Sequence, residues 1–267
     1  MTEAVDSDDR LFVGAKKSED SSLDFSSALQ QITRVEADKR IKESRFKQAI
    51  QNAEKVNLSE DKLRVLIQTM SMGRDSPIRR SGLLAKEAKE LGVAKEKVLS
   101  LARNYQKEKI RLREKGDLHH YHQTSFKTLE NAAEMQGLMS YDKLKIIGKE
   151  PPSSGSRPDV VQVTRDKYDG NGNLHEKGLV EGLSIGAVGF EVALVFNQSI
   201  MDLPDYDCLG EYPNLPTIPF DKLTNVLVRN EEDKPRAQNI IDINNLSADV
   251  KTRDEWAASA YNQNKSS

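Results

Sequence analysis

The texture of the chain changes at about Gly116, and that break limits the architectures open to it. Before it, apolar residues recur at helical spacing among closely set Lys, Arg and Glu, the pattern of helices with one buried face. After it come short runs rich in Val, Leu, Ile and Thr, separated by loops of Gly, Pro, Asn and Asp. Helices and strands segregated in this way give an α+β protein. The expectation is an N-terminal helical region followed by a mixed domain built on two packed antiparallel sheets. Strands are expected at 118–122, 160–164, 189–196 and 224–228, a helix at 126–135, and loops at 151–158, 169–173 and 204–219.

Charge divides at the same place. The 267 residues carry 40 Lys and Arg against 42 Asp and Glu, a net charge of −2. Residues 33–116 hold 22 basic and 12 acidic residues, or +10, whereas 1–32 come to −4 and 117–267 to −8. A basic part joined to an acidic one suggests a polyanion as partner, nucleic acid first among them. The segments expected are a disordered acidic tail at 1–24, a basic helical region at 25–116, a mixed domain at 117–245 and a C-terminal tail at 246–267, with a short helix near Trp256. Cys208 is the only cysteine, so no disulfide forms within the chain, which suits a reducing cytoplasm. No apolar run is long enough to span a membrane, and the first residues, MTEAVDSDDR, do not form a secretory signal, so no membrane partner is expected.

In the basic region a first helix, 24–55, has imperfectly spaced Ala28, Ile32, Val35, Ile41, Phe46 and Ile50, so it packs over only part of its length. A second begins with Asn57 or Ser59 as cap and Glu60 and Asp61 in its first turn, and puts Leu63, Leu66, Ile67 and Met70 on one face. Two more, at 82–91 and 94–115, are split at Gly92. Ala88, Gly92, Val98 and Leu101 occupy the small-residue, turn and anchor positions of a helix-turn-helix. An ordinary helical hairpin has the same preferences, so the nucleic-acid reading leans on the surrounding charge.

The chemistry-bearing residues lie beyond the break. In Leu118 to Ser140, His122, Thr124 and Ser125 sit at a strand end before a helix, where an imidazole, hydroxyls and backbone N–H groups meet one polar ligand. Strand alternation turns Tyr121 away from His122. His119, His120 and His122 also admit a surface cluster or a metal patch; a metal needs a further ligand, and His175 lies on a Gly/Asn-rich loop, so no metal site is expected. Arg165, next to Asp166, offers a fork for anionic oxygens, with an exposed turn pair as the plainer reading. Glu211, Glu191 and Glu181 compete as the working carboxylate. Leu183, Val188, Val192 and Leu194 read as core.

Taken in order, these segments resemble the ADP-ribosyltransferase superfamily. His122-x-Thr124 with its helix and the Gly137-Leu138 turn is similar to the family's opening element. Val160 to Asp166, ending in Thr164-Arg165-Asp166, is similar to its second element as found in the DarT-like, DNA-modifying branch. Leu183 to Pro204 resembles the central strand and the segment after it, and Gly210 to Val228 the closing pattern in which an acidic residue begins a strand. The likeness covers about residues 118–230. It implies an ADP-ribosyltransferase-like mixed domain that uses NAD as substrate. Glu211 and Arg165 would be catalytic, and His122, Thr124, Ser125, Gly137, Thr164 and Arg165 would bind the dinucleotide. Glu211 would stabilise the oxocarbenium-like transition state formed as nicotinamide leaves, or take the acceptor's proton. The resemblance further implies an enzyme that modifies RNA or DNA, a toxin or phage-defence role, and a protein antitoxin or regulator. Within 118–230, neither the tyrosine of the His-Tyr-Glu branch nor a Glu-x-Glu or Gln-x-Glu motif is found, which speaks against arginine-specific protein modification. The alternatives are transfer to protein, an RNA 2′-phosphotransferase, and a non-enzymatic nucleic-acid-binding protein.

Overall fold

The computed structural model describes residues 25–71, 77–113, 118–149, 159–165, 191–209 and 212–265. The chain separates into two compact units, Met1–Arg40 and Ile41–Ser267. The described part of the first is the opening stretch of helix α1 (Phe25–Glu54). The expected acidic tail at 1–24 lies outside the described residues.

In the second unit, the end of α1 packs through Phe46, Ile50 and Ala53, while Ile41 stays exposed. Asn57 ends α1 and does not cap its successor. It adopts φ +61°, Leu58 N–H bonds the Ala53 carbonyl and Asn57 N–H the Glu54 carbonyl, so the last carbonyls of α1 are satisfied. Ser59 is the cap of α2 (Glu60–Ser71), accepting the Lys62 N–H at 3.4 Å. Leu63, Leu66, Ile67 and Met70 are buried on one face of α2 as their spacing demands. Helices α3 (Pro77–Leu91) and α4 (Lys95–Arg113) join at Gly92, whose φ of +67° lets Val93 N–H reach the Ala88 carbonyl. Ala88, Val98 and Leu101 are all buried in this helical core, with Tyr105 at its centre.

The remaining elements are β1 (His120–Thr124), α5 (Phe126–Glu134), β2 (Gly137–Met139), α6 (Tyr141–Ile146), β3 (Val161–Gln162), β4 (Thr164–Arg165), β5 (Val192–Phe196), β6 (Asn214–Leu215), β7 (Thr217–Pro219), β8 (Leu223–Val228), α7 (Lys234–Ile243), β9 (Asp249–Thr252) and α8 (Arg253–Lys265). The main sheet runs β4-β1-β5-β8-β9, with two-stranded ladders β2–β7 and β3–β6. The protein is α+β, but its main sheet is mixed and not wholly antiparallel. β9 pairs parallel to β8 because α7 intervenes and carries the chain back to the start of the sheet. Residues 246–267, expected as a tail, hold β9 and α8, and Trp256 is buried against the sheet. Among the described residues no helix is long and apolar enough to cross a membrane.

β5 is buried on both faces. Val192, Leu194 and Phe196 enter the main core with Phe126 and Leu129 of α5, Ile240 and Ile241 of α7, and Leu138, Val161, Leu215 and Ile218 from the two small ladders. Ala193 and Val195 enter a second cluster with Tyr121, Leu227 and Trp256. The expected core positions Leu183 and Val188 lie outside the described residues.

Tyr206 to Leu209 form a seam between helices and strands. Alternate side chains of an extended segment point opposite ways. Here Tyr206 and Cys208 enter the main core, whereas Leu209 enters the helical core. Asp207 accepts from Arg80 of α3 at 2.7 Å and from Arg103 of α4 at 3.2 Å. Its backbone exchanges two hydrogen bonds of 3.0 Å with Asn214. Arg111 of α4 binds both Glu108 and Asp202. These three arginines of the basic region thus face inward and bond acids of their own chain; of these pairs Arg111–Glu108 is buried on both sides, where removing one partner costs about 3–5 kcal/mol.

Candidate active site

β1 supplies a column of polar side chains. His120, His122 and Thr124 alternate with Tyr121 and Gln123, and their cross-strand partners Phe196, Leu194 and Val192 all belong to the main core. Tyr121 faces the other way, taking a hydrogen bond from the Trp256 indole at 3.3 Å. His122 therefore sits inside the strand, two residues short of its end, and β1 continues to Thr124.

His122 is half-buried, with Nδ1 2.9 Å from the Gln162 carbonyl on β3. A carbonyl only accepts, so Nδ1 carries the proton and Nε2 is left as the acceptor. Burial lowers the pKa of the ring, and the Gln162 carbonyl opposes that shift only in part, so His122 is neutral.

Arg165 stands opposite His120 across the β1–β4 ladder and so shares the face of His120 and His122. Its diagonal separation from His122 is about 7–8 Å between backbone positions. Tyr206 completes the group. Its hydroxyl lies 2.9 Å from His120 Nε2, and the Arg165 guanidinium stands beside it. One hydrogen joins the Tyr206 hydroxyl and His120 Nε2, on the phenol or on the ring according to the imidazole tautomer. His120 is fully buried; burial first, then the Arg165 charge, pull its pKa down to about 3, so it stays neutral. His120 Nδ1 and Arg165 Nη1 are buried atoms with no hydrogen-bond partner among the described residues. Such orphaned polar atoms are the places where a ligand oxygen gains most.

The N-terminus of α5 is closed from within. Ser125 caps it, accepting the Thr128 N–H at 3.2 Å, and the Glu191 carboxylate accepts the Phe126 N–H at 2.9 Å. Glu191 N–H in turn bonds the Thr124 carbonyl, so this carboxylate serves as a helix-end anion. Thr164 hydrogen-bonds the Tyr121 carbonyl at 3.4 Å and lies on the face opposite to Arg165. Gly137 has a steric reason to be glycine: a Cβ there would lie 2.9 Å from the Ile218 carbonyl oxygen on β7.

Of the expected site residues, His122, Thr124 and Arg165 share one face of the β4–β1 pair, Arg165 opposite the first residue of β1 and Thr124 at its last, with Ser125 next to Thr124 on the cap of α5. Glu211, Glu181, Asp166 and His175 lie outside the described residues. Sequence reasoning weighed His120 only as part of a surface cluster or metal patch and passed over Tyr206. The two-residue spacing of His120 and His122 on a strand signalled a shared face, but nothing local marks Tyr206. The histidines do not converge: His119 packs edge-on against Trp256, and His120 against Tyr206. Among the described residues no three His, Cys, Asp or Glu side chains gather to hold a metal. Burial pushes the Cys208 thiol up to about 12, which makes it a poor nucleophile.

No family model and no curated protein matches this sequence. Among solved structures, DarT of Thermus sp. 2.9 in complex with NAD+ superimposes on 50% of this chain and 94% of its own, with a TM-score of 0.33 and 10% sequence identity. At that level the likeness carries no argument about fold or activity.

Proposed function

We propose that this chain is an NAD-dependent ADP-ribosyltransferase that modifies nucleic acid. One observation carries the reading. His122 and Arg165 come from different sequence motifs, lie side by side on one face at the β4 edge of the sheet, and each offers an atom to a ligand: the Nε2 acceptor of the imidazole and an unpartnered guanidinium nitrogen. A hydroxyl of the adenosine ribose donates to His122 Nε2, and the pyrophosphate or a ribose oxygen accepts from Arg165. Thr124 shares that face and Ser125 follows it on the cap of α5, whereas Thr164 on the opposite face and Gly137 on the β2–β7 ladder support the strands from outside it. The β2–β7 and β3–β6 ladders, which share the main core with the large sheet, stand for the second sheet of the fold.

Glu211 is the proposed carboxylate. Two arguments favour it over Glu191. The Glu191 carboxylate is engaged by the Phe126 N–H. Pro213, two residues after Glu211 in sequence, accepts the Val163 N–H at 2.9 Å, which ties that part of the chain to the strands bearing Gln162 and Arg165. Near the ribose, a carboxylate stabilises positive charge as the bond to nicotinamide breaks.

The basic helices supply the acceptor side of the reading, since a positive surface concentrates nucleic acid. The α3–α4 hairpin has the buried Ala88, the left-handed Gly92 and the Val98 and Leu101 anchors that suit a groove-binding element. A 2′-phosphotransferase needs several arginines around its phosphate, and Arg80, Arg103 and Arg111 are engaged by acids elsewhere. A toxin or defence role, with a protein antitoxin, is the setting in which such an activity fits.

The test is incubation with NAD labelled on the adenine ring and with DNA, RNA or protein as acceptor. Release of nicotinamide and label removed by nuclease but not protease is the expected result. Label on protein alone removes the nucleic-acid part, and binding of nucleic acid without nicotinamide release leaves a non-enzymatic binding protein.

A further inference from the structure

The seam at Tyr206–Leu209 does more than glue helices to strands. We propose that Asp207, clamped by Arg80 and Arg103, is a positioning residue: it fixes the segment whose neighbouring side chain, Tyr206, sets the Arg165 guanidinium and the His120 ring in place. The inference rests on the reading of Arg165 as an NAD-site residue, but its structural part stands apart from that reading.

Asp207 is held from every side. Arg80 takes one carboxylate oxygen and Arg103 the other, while Leu209 N–H bonds the first oxygen at 3.0 Å. Its backbone is locked by two bonds to Asn214, and Cys208 Sγ–H lies 3.8 Å from the Arg103 carbonyl. Burial alone raises the pKa of this carboxyl, but the two guanidinium groups and the backbone bond outweigh it, so Asp207 is held ionised below its ordinary value. On the other side of the same short segment, the Tyr206 hydroxyl lies 2.9 Å from His120 Nε2 with the Arg165 guanidinium beside it. The segment is extended and its backbone is bonded to Asn214, so a backbone shift at Asp207 is passed to the adjoining Cα of Tyr206, whose side chain leaves on the other side. No described contact runs from Arg80 or Arg103 straight to Arg165; the route is through Asp207 and Tyr206. The helical hairpin therefore holds the site from behind, and any ligand that shifts α3 against α4 acts on the Arg165 environment through these two residues.

The experiment is a double-substitution cycle on the full chain with Asp207→Asn and Tyr206→Phe, read by nicotinamide release and by the ring-nitrogen NMR signals of His120. Asp207→Asn keeps the shape and weakens the clamp; Tyr206→Phe keeps the ring and removes the hydroxyl. Each single change is expected to lower kcat about 10- to 100-fold, the scale of a misplaced catalytic group, with a smaller change in KM for NAD. The double variant is expected to be no worse than Tyr206→Phe alone, and Asp207→Asn is expected to move the His120 ring signals. Multiplicative losses, or His120 signals identical in the wild type and Asp207→Asn, overturn the proposal. Should Asp207→Asn fail to fold, Arg103→Lys replaces it in the cycle. It keeps the charge and loses the fork, and the same two outcomes decide. A wild-type protein that releases no nicotinamide sinks the functional reading alone, and the NMR arm still decides whether the clamp sets His120.

Discussion

The ring of His120 meets the Tyr206 hydroxyl at 2.9 Å, the two rings set edge to face at 87°, beside a core of aliphatic and phenylalanine side chains. A buried imidazole in such a place is held neutral, and its proton affinity becomes part of the stability of the fold.

The sign of that linkage is fixed. The folded pKa of His120, about 3, lies below the ordinary value of 6.5. Its contribution is therefore complete above pH 6.5 and is lost as pH falls toward 3, at a limiting slope of about 1.4 kcal/mol per pH unit. His122 shifts in the same direction. Asp207, held below its ordinary value, adds a further loss at still lower pH. Urea unfolding at stepped pH is expected to show stability falling from pH 6.5 downward, with a shallower fall in His120→Gln. A flat wild-type profile between pH 7 and 4.5 contradicts a buried neutral His120.

Arg165→Lys separates ligand binding from folding. An ammonium cannot reproduce the two-pronged fork, so nicotinamide release is expected to drop about 100- to 1000-fold. Because Arg165 Nη1 has no partner among the described residues, the thermal midpoint is expected to move little. Calorimetry beside a turnover assay reads both.

Glu191→Gln and Glu211→Gln assign the carboxylate. Glu191 sits on the Phe126 N–H at the start of α5, so neutralising it is expected to cost about 0.3–1 kcal/mol of stability and to leave turnover intact. Ser125→Ala, which removes the cap on the Thr128 N–H, is expected to cost about 1 kcal/mol. Glu211→Gln is expected to abolish nicotinamide release. The reverse pattern, with turnover lost only in Glu191→Gln, moves the chemistry to Glu191.

Gly137→Ala is expected to destabilise the fold by about 1–3 kcal/mol, the range for overpacking. The added carbon meets the backbone of β7, the Ile218 oxygen at 2.9 Å and Pro219 Cα at 3.2 Å, where no flexible side chain can yield. A denaturant midpoint equal to that of the wild type shows that β2 and β7 can part without loss.

What sequence made visible was local. The first turn of α2, the left-handed Gly92 and the β1–α5 unit with its Ser125 cap all follow from neighbours a few residues apart. Alternation placed Tyr121 opposite to His122, as found. What stayed hidden depends on distant partners. β9 reads Asp-Val-Lys-Thr, with no apolar alternation, and becomes a strand because β8 lies beside it. Arg80 and Arg103 look like members of a basic surface until Asp207, more than a hundred residues on, turns them inward. Glu191 looks like a rival catalytic acid until the Phe126 N–H claims it.

The alternation at Tyr206–Leu209 also bears on how such a chain can evolve. Because odd and even positions there serve different interiors, gaining or losing a single residue swaps a charge into grease and a ring into the ion clamp. Helices α3 and α4 are thus no detachable cassette: grafted elsewhere they carry two arginines without their acid, and a truncated chain lacking them keeps the acid without its two counter-ions.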